Sequence, residues 1–129
     1  MQDVKQHWQM ILVILIISGV FVSRFVPIGG QHVSEERAEV LVVEEGAALI
    51  DVRSPSEFTS GHIEGALNLP LNQIETLIVA QFPAKDTLIV LYCQTGFRSS
   101  QAIRLLTNLG YTHVYDMGAM SNWPYGIVY

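Results

Sequence analysis

Short strand-like runs alternate with helix signals along the last hundred or so residues of this 129-residue chain. The runs are 47–52, 66–69, 87–92 and 112–115. The first and third are almost continuously apolar, which is typical of strands that a parallel sheet buries on both faces. The alternation predicts an α/β domain with a small, mostly parallel sheet and helices on both faces.

Helix signals stand between these runs. Ser34 is a candidate N-cap for a helix that ends before Gly46, and the run 54–57 (Ser-Pro-Ser-Glu) has the capping-box pattern with proline at the first helical position. A similar pattern at Asn72 predicts a helix toward residue 82. The fourth predicted helix covers 98–109, where apolar residues recur with helical spacing.

The segment 8–26 has a different character, because Arg24 is its only charged residue. A transmembrane helix needs roughly 20 mostly apolar residues, whereas a signal-peptide core needs about 7–15. The segment shows neither a clear small-residue cleavage site nor the polar face of an amphipathic core helix. We therefore predict that residues 1–30 form an uncleaved single-pass membrane anchor with a linker, and that residues 31–129 form one domain.

The orientation of this anchor is not determined by charge. Lys5 precedes the apolar segment, and Arg24 and Arg37 lie at or beyond its other end, so positive residues favour neither side. A single cysteine suits a reducing compartment and is also compatible with an oxidising one. We expect the protein to be anchored in a bacterial inner membrane. The sequence does not determine on which side of this membrane the domain lies.

Charge argues against nucleic acid as a partner. Residues 31–129 carry five Lys/Arg and eleven Asp/Glu, which gives this part of the chain a net charge of −6. Phosphate backbones attract basic surfaces, so an acidic domain has no electrostatic reason to bind them.

Cys93 is the only cysteine, and it stands between the strand-like run 87–92 and the predicted fourth helix. The carboxyl ends of parallel strands are where α/β proteins place reactive groups. The positive end of a helix dipole and the free N–H groups of its first turn favour a thiolate, which is the nucleophilic form of cysteine. The alternative is a buried cysteine that acts as a small apolar residue.

The loop after Cys93 favours the functional interpretation. Successive N–H groups of such a turn can hold an anion, Gly96 permits a tight turn, and Arg98 adds a positive charge. Thr95 and Ser99 offer hydroxyl donors. These features predict an anionic substrate at the sulfur.

A metal or nucleotide cofactor is not expected. The histidines lack ligand spacing, no second cysteine exists, and the chain has neither a phosphate loop nor a dinucleotide fingerprint. The histidines are His7, His32, His62 and His113.

Four segments resemble motifs of single-domain rhodaneses, in the same order and with the same spacing. They are 50–58 (IDVRSPSEF), 61–70 (GHIEGALNLP), 92–99 (YCQTGFRS) and the closing region 110–123, and the resemblance covers about residues 33–123. One departure is Gly118-Ala119, where the family often has two glycines.

The resemblance implies a sulfurtransferase with no metal or organic cofactor. By this resemblance, Cys93 takes a sulfane sulfur from thiosulfate or a similar small anion and passes it to cyanide, a thiol or a protein acceptor. The N–H groups of the loop Gln94, Thr95, Gly96, Phe97, Arg98 and Ser99 would stabilise the persulfide, and Arg98 would steer the anionic donor.

Three other functions share features with this sequence. Rhodanese-like phosphatases and arsenate reductases have a similar loop, but their loop has five residues between cysteine and arginine. In this sequence there are four residues between Cys93 and Arg98. A non-enzymatic membrane-anchored module that carries persulfide sulfur or binds a partner is the main alternative. A redox sensor would need a resolving cysteine from another molecule.

Asp51, Arg53 and His62 are predicted to support the site rather than to react. Asp51 and Arg53 stand at the end of an inner strand, where charged residues usually form ion pairs that hold loops in place. Glu57 and His62 are candidate partners for these ion pairs. His62 is expected to make one hydrogen bond in a loop, since a stabilised thiolate needs no separate base.

Overall fold

The computed structural model describes residues 30–129. Their strands are β1 Gln31–His32, β2 Ala48–Asp51, β3 His62–Ile63, β4 Leu67–Asn68, β5 Ile89–Cys93, β6 Val114–Ala119 and β7 Ile127–Val128. Their α-helices are α1 Glu35–Val43, α2 Pro55–Thr59, α3 Ile74–Gln81 and α4 Phe97–Asn108. Five strands form a parallel sheet in the order β1-β6-β5-β2-β4, and β3 and β7 form a separate antiparallel ribbon.

Strand β5 lies at the centre of the sheet and is completely buried. Because side chains alternate along a strand, Ile89, Leu91 and Cys93 pack in one core cluster with α3 and α4. Val90 and Tyr92 pack in a second cluster with α1. The predicted α/β architecture, a parallel sheet covered by helices on both faces, is confirmed.

The first two helix signals are confirmed in atomic detail. Ser34 caps α1 and its side chain accepts a hydrogen bond from the Arg37 N–H at 3.2 Å. Ser54 and Glu57 form the reciprocal capping box of α2, with Pro55 as the first helical residue. The sequence therefore determines where both helices begin.

The predicted start of α3 at Asn72 is wrong. The Leu71 N–H donates to the carbonyl of Val52 at 3.0 Å, which holds this segment against the end of β2. A single 3₁₀ turn, Leu71–Gln73, follows this contact, and α3 begins only at Ile74. A tertiary hydrogen bond has displaced a local capping signal.

Strand β6 runs further than the predicted 112–115 and contains a bulge. Leu91 pairs with Asp116 and Tyr92 pairs with Gly118, so Met117 is the extra residue. The Asp116 carboxylate accepts a hydrogen bond from the Gly118 N–H at 2.8 Å. Gly118 has φ 87° and Ala119 has φ −86°, so only the first of the two positions needs glycine.

The predicted membrane anchor, residues 8–26, lies outside the described residues. Among residues 30–129, no helix combines the length and the apolar character that crossing a bilayer requires.

Burial of β5 leads to a matched stability prediction. Leu91→Ala should lower the free energy of unfolding by about 2–5 kcal/mol, because it leaves a cavity at a completely buried position. Leu67→Ala removes the same atoms from a side chain that is 41% exposed, and it should cost about 1 kcal/mol or less. Urea unfolding curves of the two variants measure the difference. Equal losses would contradict the central position of β5.

Candidate active site

Cys93 is the last residue of β5, and its side chain is completely buried at the point where the chain turns into α4. Gly96 lies in the left-handed region, with φ 94°, as the N-cap of α4. This conformation directs the Gly96 N–H at the sulfur, with 3.0 Å between N and Sγ. A hydrogen-bond donor at this distance stabilises negative charge on sulfur, so the loop suits a thiolate or a persulfide.

Ser99, in the first turn of α4, also faces the cysteine. Its Oγ lies 3.6 Å from the Cys93 Sγ and donates a hydrogen bond to the Gly96 carbonyl at 3.1 Å. Ser99 is completely buried. It therefore ties the loop to the helix while its hydroxyl stays within reach of the sulfur.

Arg98 is held by a carboxylate from another motif. Its two terminal nitrogens donate to the two oxygens of Glu57, at 2.7 and 2.8 Å. Glu57 lies on α2, 41 residues earlier, and its Oε1 also accepts from the Ser54 hydroxyl at 3.0 Å. This bidentate pair joins the cysteine loop to α2 and partly offsets the positive charge of Arg98.

The ion pair changes the protonation equilibria of both partners. Hydrogen bonds from the Arg98 guanidinium, with a smaller contribution from Ser54, lower the pKa of Glu57 to about 2. The Glu57 carboxylate in turn raises the pKa of Arg98 above its usual value. The pair is therefore fully charged at neutral pH.

Arg53 connects three parts of the site. Its Nη2 contacts the Asp51 carboxylate at 2.7 Å and the Gly61 carbonyl at 2.7 Å, and its Nη1 donates to the Gln94 Oε1 at 3.2 Å. Asp51 also accepts from the Arg53 N–H at 2.9 Å. The turn after β2, the approach to β3 and the first loop residue after Cys93 are thus held together by one buried guanidinium.

His62 makes its contacts away from this network. Its Nδ1 lies 2.8 Å from the carbonyl of Phe58, and its ring stacks on the Phe58 ring with 3.7 Å between centroids. A carbonyl only accepts hydrogen bonds, so Nδ1 carries the proton in this contact. His62 therefore stabilises the end of α2 and the start of β3.

Tyr92 fixes the other face of the strand that carries Cys93. Its hydroxyl oxygen accepts a hydrogen bond from the Ile63 N–H at 3.1 Å. Burial raises the pKa of Tyr92, so the hydroxyl stays neutral. This contact joins β3 to β5 directly beside the cysteine.

An open cavity of about 470 Å³ lies next to the cysteine loop. It is lined by Arg53, Ser56, Glu57, Ser60, Gly61, Gln94, Met120, Ile127 and Tyr129. The last three residues come from the C-terminal segment, which β7 holds against β3. The cavity reaches the cysteine loop at Gln94, the neighbour of Cys93.

The predicted site residues fall into two groups. The first group is the cysteine loop and the start of α4, which contain Gln94, Thr95, Gly96, Phe97, Arg98 and Ser99. Within this group, the Phe97 side chain is 68% exposed. Asp51 and Arg53 pair with each other and reach the loop through Gln94, whereas His62 bonds to Phe58 instead.

Sequence reasoning missed the pairing of Glu57 with Arg98 and the lining by Met120, Ile127 and Tyr129. The sequence indicated Glu57 as a capping residue and, with His62, as a candidate ion-pair partner for Asp51 or Arg53. That pairing is wrong, because Arg53 pairs with Asp51 and Glu57 pairs with Arg98. The 41-residue separation of Glu57 from Arg98 has no local signature. Within residues 30–129, no group of three or more His, Cys, Asp or Glu side chains is arranged to hold a metal ion.

Residues 35–124 match the family described as the rhodanese-like domain. The chain belongs to the rhodanese-like domain family. The match includes the cysteine loop, the capping box with Glu57 and the Asp51–Arg53 turn.

Two curated relatives of this rhodanese-like domain are named sulfurtransferases. Thiosulfate sulfurtransferase PspE of Escherichia coli is 37% identical over 73 residues, which are 57% of this chain and 70% of the relative. Human thiosulfate:glutathione sulfurtransferase is 35% identical over an alignment of 108 residues, and the alignment covers 74% of this chain and 94% of the relative. Homologues therefore place the domain among sulfurtransferase-like proteins.

A solved structure has the same fold. A rhodanese with anions from E. coli superposes with a TM-score of 0.61 at 34% identity, and the alignment covers 64% of this chain and 98% of that one. The rhodanese fold predicted from the sequence motifs is confirmed.

The Glu57–Arg98 pair predicts a pH-dependent part of the stability. The pKa of Glu57 is lowered to about 2 in the folded domain from an ordinary value of 4.5, so its contribution is present above about pH 4.5 and is lost as the pH falls toward 2. Glu57→Gln should therefore lower the free energy of unfolding at pH 7 by about 1 kcal/mol, because the two side chains of the pair are 33% and 36% exposed and water screens their attraction.

The control for this prediction is Glu75→Gln, which removes a carboxylate from an exposed position on α3. Urea unfolding at pH 7 and at pH 3 compares the two variants with the unmodified protein. The deficit of Glu57→Gln should shrink at the lower pH. A deficit that stays constant would show that the ion pair does not stabilise the fold.

Proposed function

We propose that this protein is a sulfurtransferase that moves a sulfane sulfur from thiosulfate, or a similar small anion, to a thiophilic acceptor through a persulfide on Cys93. The observation that supports this most strongly is the position of the Cys93 sulfur. It lies at the end of the central strand, receives a hydrogen bond from the Gly96 N–H at 3.0 Å, and is followed by a loop with four residues before Arg98.

The proposed reaction has two half-reactions. The Cys93 thiolate attacks the sulfane sulfur of thiosulfate, the S–S bond of the donor breaks, and sulfite leaves with the electron pair. An acceptor nucleophile then attacks the terminal sulfur of the Cys93 persulfide. The persulfide bond breaks, and Cys93 leaves as a thiolate with that electron pair. Cyanide becomes thiocyanate and a thiolate becomes a persulfide, so the mechanism is covalent and ping-pong.

The loop supports this reaction by size and by polarity. The terminal sulfur of a persulfide extends about 2 Å from Sγ, and a four-residue loop encloses a single sulfur atom more closely than a five-residue loop would. We propose that the N–H groups of residues 94–99 stabilise its negative charge in the way that an oxyanion hole does. No metal and no organic cofactor take part in these steps.

Turnover tests the proposal. The protein should produce thiocyanate from thiosulfate and cyanide in the steady state. Cys93→Ser should abolish this activity, because the serine hydroxyl group cannot form a persulfide. Ser99→Ala should keep part of the activity, because the Gly96 N–H still contacts the sulfur. An active Cys93→Ser variant would refute the mechanism. A protein that accepts sulfur but never turns over would favour the carrier function over the enzyme.

Arg98 is proposed to act on the donor mainly through its charge. Its guanidinium is paired with Glu57, so its remaining attraction for anions is partial. Arg98→Ala should raise the KM for thiosulfate, a dianion, more than the KM for an organic thiosulfonate, a monoanion. Both donors deliver a sulfane sulfur and release an oxidised sulfur anion. Equal increases would show that Arg98 only shapes the loop.

We also propose that residues 8–26 attach the protein to a membrane, with support from the near absence of charge in this segment. The full chain should stay with membranes during an alkaline wash, and a chain that begins at Gly30 should not. A reporter fused after Tyr129 would identify the side of the domain. Release of the full chain by the wash would contradict the anchor.

A further inference from the structure

Another concave surface lies on the α1 side of the sheet, and its lining residues differ from those of the cysteine cavity. It is a groove of about 310 Å³ between α1, the end of β3 and the segment that leads into β7. Its lining includes Glu39, Val43, Leu49, Glu64, Trp123 and Tyr125, and we call it the Trp123 groove. The reaction proposed above uses none of these residues.

The Trp123 groove exposes apolar and aromatic surface. Val43 is 73% exposed and Tyr125 is 45% exposed. The rings of Trp123 and Tyr125 meet edge to face, with 4.8 Å between their centroids. Exposed aromatic side chains at a concave site are typical of surfaces that bind a partner.

Carboxylates border this aromatic surface. Glu39 and Glu64 line the groove, and none of the described residues that line it is Lys, Arg or His. The Glu39 carboxylate raises the pKa of Tyr125, with smaller contributions from desolvation and from Glu36 and Glu35. Carboxylates beside exposed aromatic rings attract a cationic side chain through both Coulomb and cation–π interactions.

The groove is close to the cysteine cavity. Gly61 lines the cavity and Ile63 lines the groove, and two residues of extended chain span about 7 Å. Gly126 lines the groove, and the next residue in the chain, Ile127, lines the cavity. A polypeptide that lies in the groove could therefore cross the β3–β7 ribbon and bring a side chain to the cysteine loop.

We propose that the Trp123 groove docks a Lys/Arg-rich segment of a protein that accepts sulfur at a cysteine thiol. This inference rests on the proposed sulfurtransferase function. The acceptor thiolate attacks the terminal sulfur of the Cys93 persulfide and leaves with it as a persulfide, and Cys93 is released as a thiolate. A second copy of this chain is a poor occupant, because its net charge of −6 over residues 31–129 would be repelled.

Binding is tested on the full chain with Trp8→Phe, so that Trp123 is the only tryptophan. The probe is a short peptide with one cysteine flanked by lysines and arginines, and the matched peptide has glutamines in their place. The basic peptide should change the Trp123 fluorescence, and the glutamine peptide should bind roughly threefold to tenfold more weakly. Added salt should weaken the basic peptide only, because screening acts on charge.

The variants separate the groove from general charge. Glu39→Gln with Glu64→Gln should remove the preference for the basic peptide. Glu75→Gln with Asp86→Asn removes the same charge elsewhere and should keep it. Tyr125→Leu should weaken the basic peptide without changing net charge. Equal weakening by both double variants, or no preference for the basic peptide, would overturn the proposed groove.

Sulfur transfer provides the second readout. With thiosulfate as donor, KM for the basic peptide as acceptor should rise in the Glu39/Glu64 double variant, while thiocyanate formation from cyanide should stay unchanged. If cyanide is used normally and the two peptides are equal acceptors, the docking inference fails alone. If neither cyanide nor peptide accepts sulfur from the unmodified protein, the proposed function fails instead.

Discussion

Complete burial of β5 on both faces is the constraint on which the rest of this structure depends. The strand has no exposed side chain, so its alternation assigns Leu91 and Cys93 to the core cluster with α3 and α4, and Tyr92 to the cluster with α1. A slip of one residue would exchange the two faces and remove Cys93 from the N-terminus of α4. The packing of the core therefore determines where the Cys93 sulfur lies.

The charges at the site are paired, and this shapes the chemistry. Arg53 is neutralised by Asp51 and Arg98 by Glu57. Neither guanidinium stands free beside the sulfur, so the Gly96 N–H is the direct contact that stabilises negative charge there. Backbone donors are fixed by the fold and need no reorganisation when an anion arrives or leaves.

Much of the fold could be predicted because its signals are local. The apolar runs at β2 and β5, the caps at Ser34 and Ser54, and the cysteine before a helix all depend on residues close in sequence. The motifs of the rhodanese family added the order of these elements. The prediction was wrong where contacts between distant residues determine the local structure. At α3, a hydrogen bond from the Leu71 N–H to the Val52 carbonyl holds the segment before the helix, and the helix begins later than predicted.

The site shows the same limit. The cysteine loop could be recognised from its own residues, but the partner of Arg98 could not, because Glu57 carried a capping signal and lies on another element. The extension of β6 could not be predicted, because Asp116 and Gly118 are residue types that are more typical of turns than of strands. In the structure, the Gly118 N–H donates a hydrogen bond to the Asp116 carboxylate within the strand. The β3–β7 ribbon is too short to leave a pattern.

Cys93 is proposed to carry the transferred sulfur. Intact-mass spectrometry of the full chain after brief exposure to thiosulfate, followed by peptide mapping, tests this proposal most directly. We expect a gain of one sulfur atom on the peptide that contains Cys93, and its loss when cyanide is added. An unchanged mass, or an adduct that cyanide cannot remove, would contradict it.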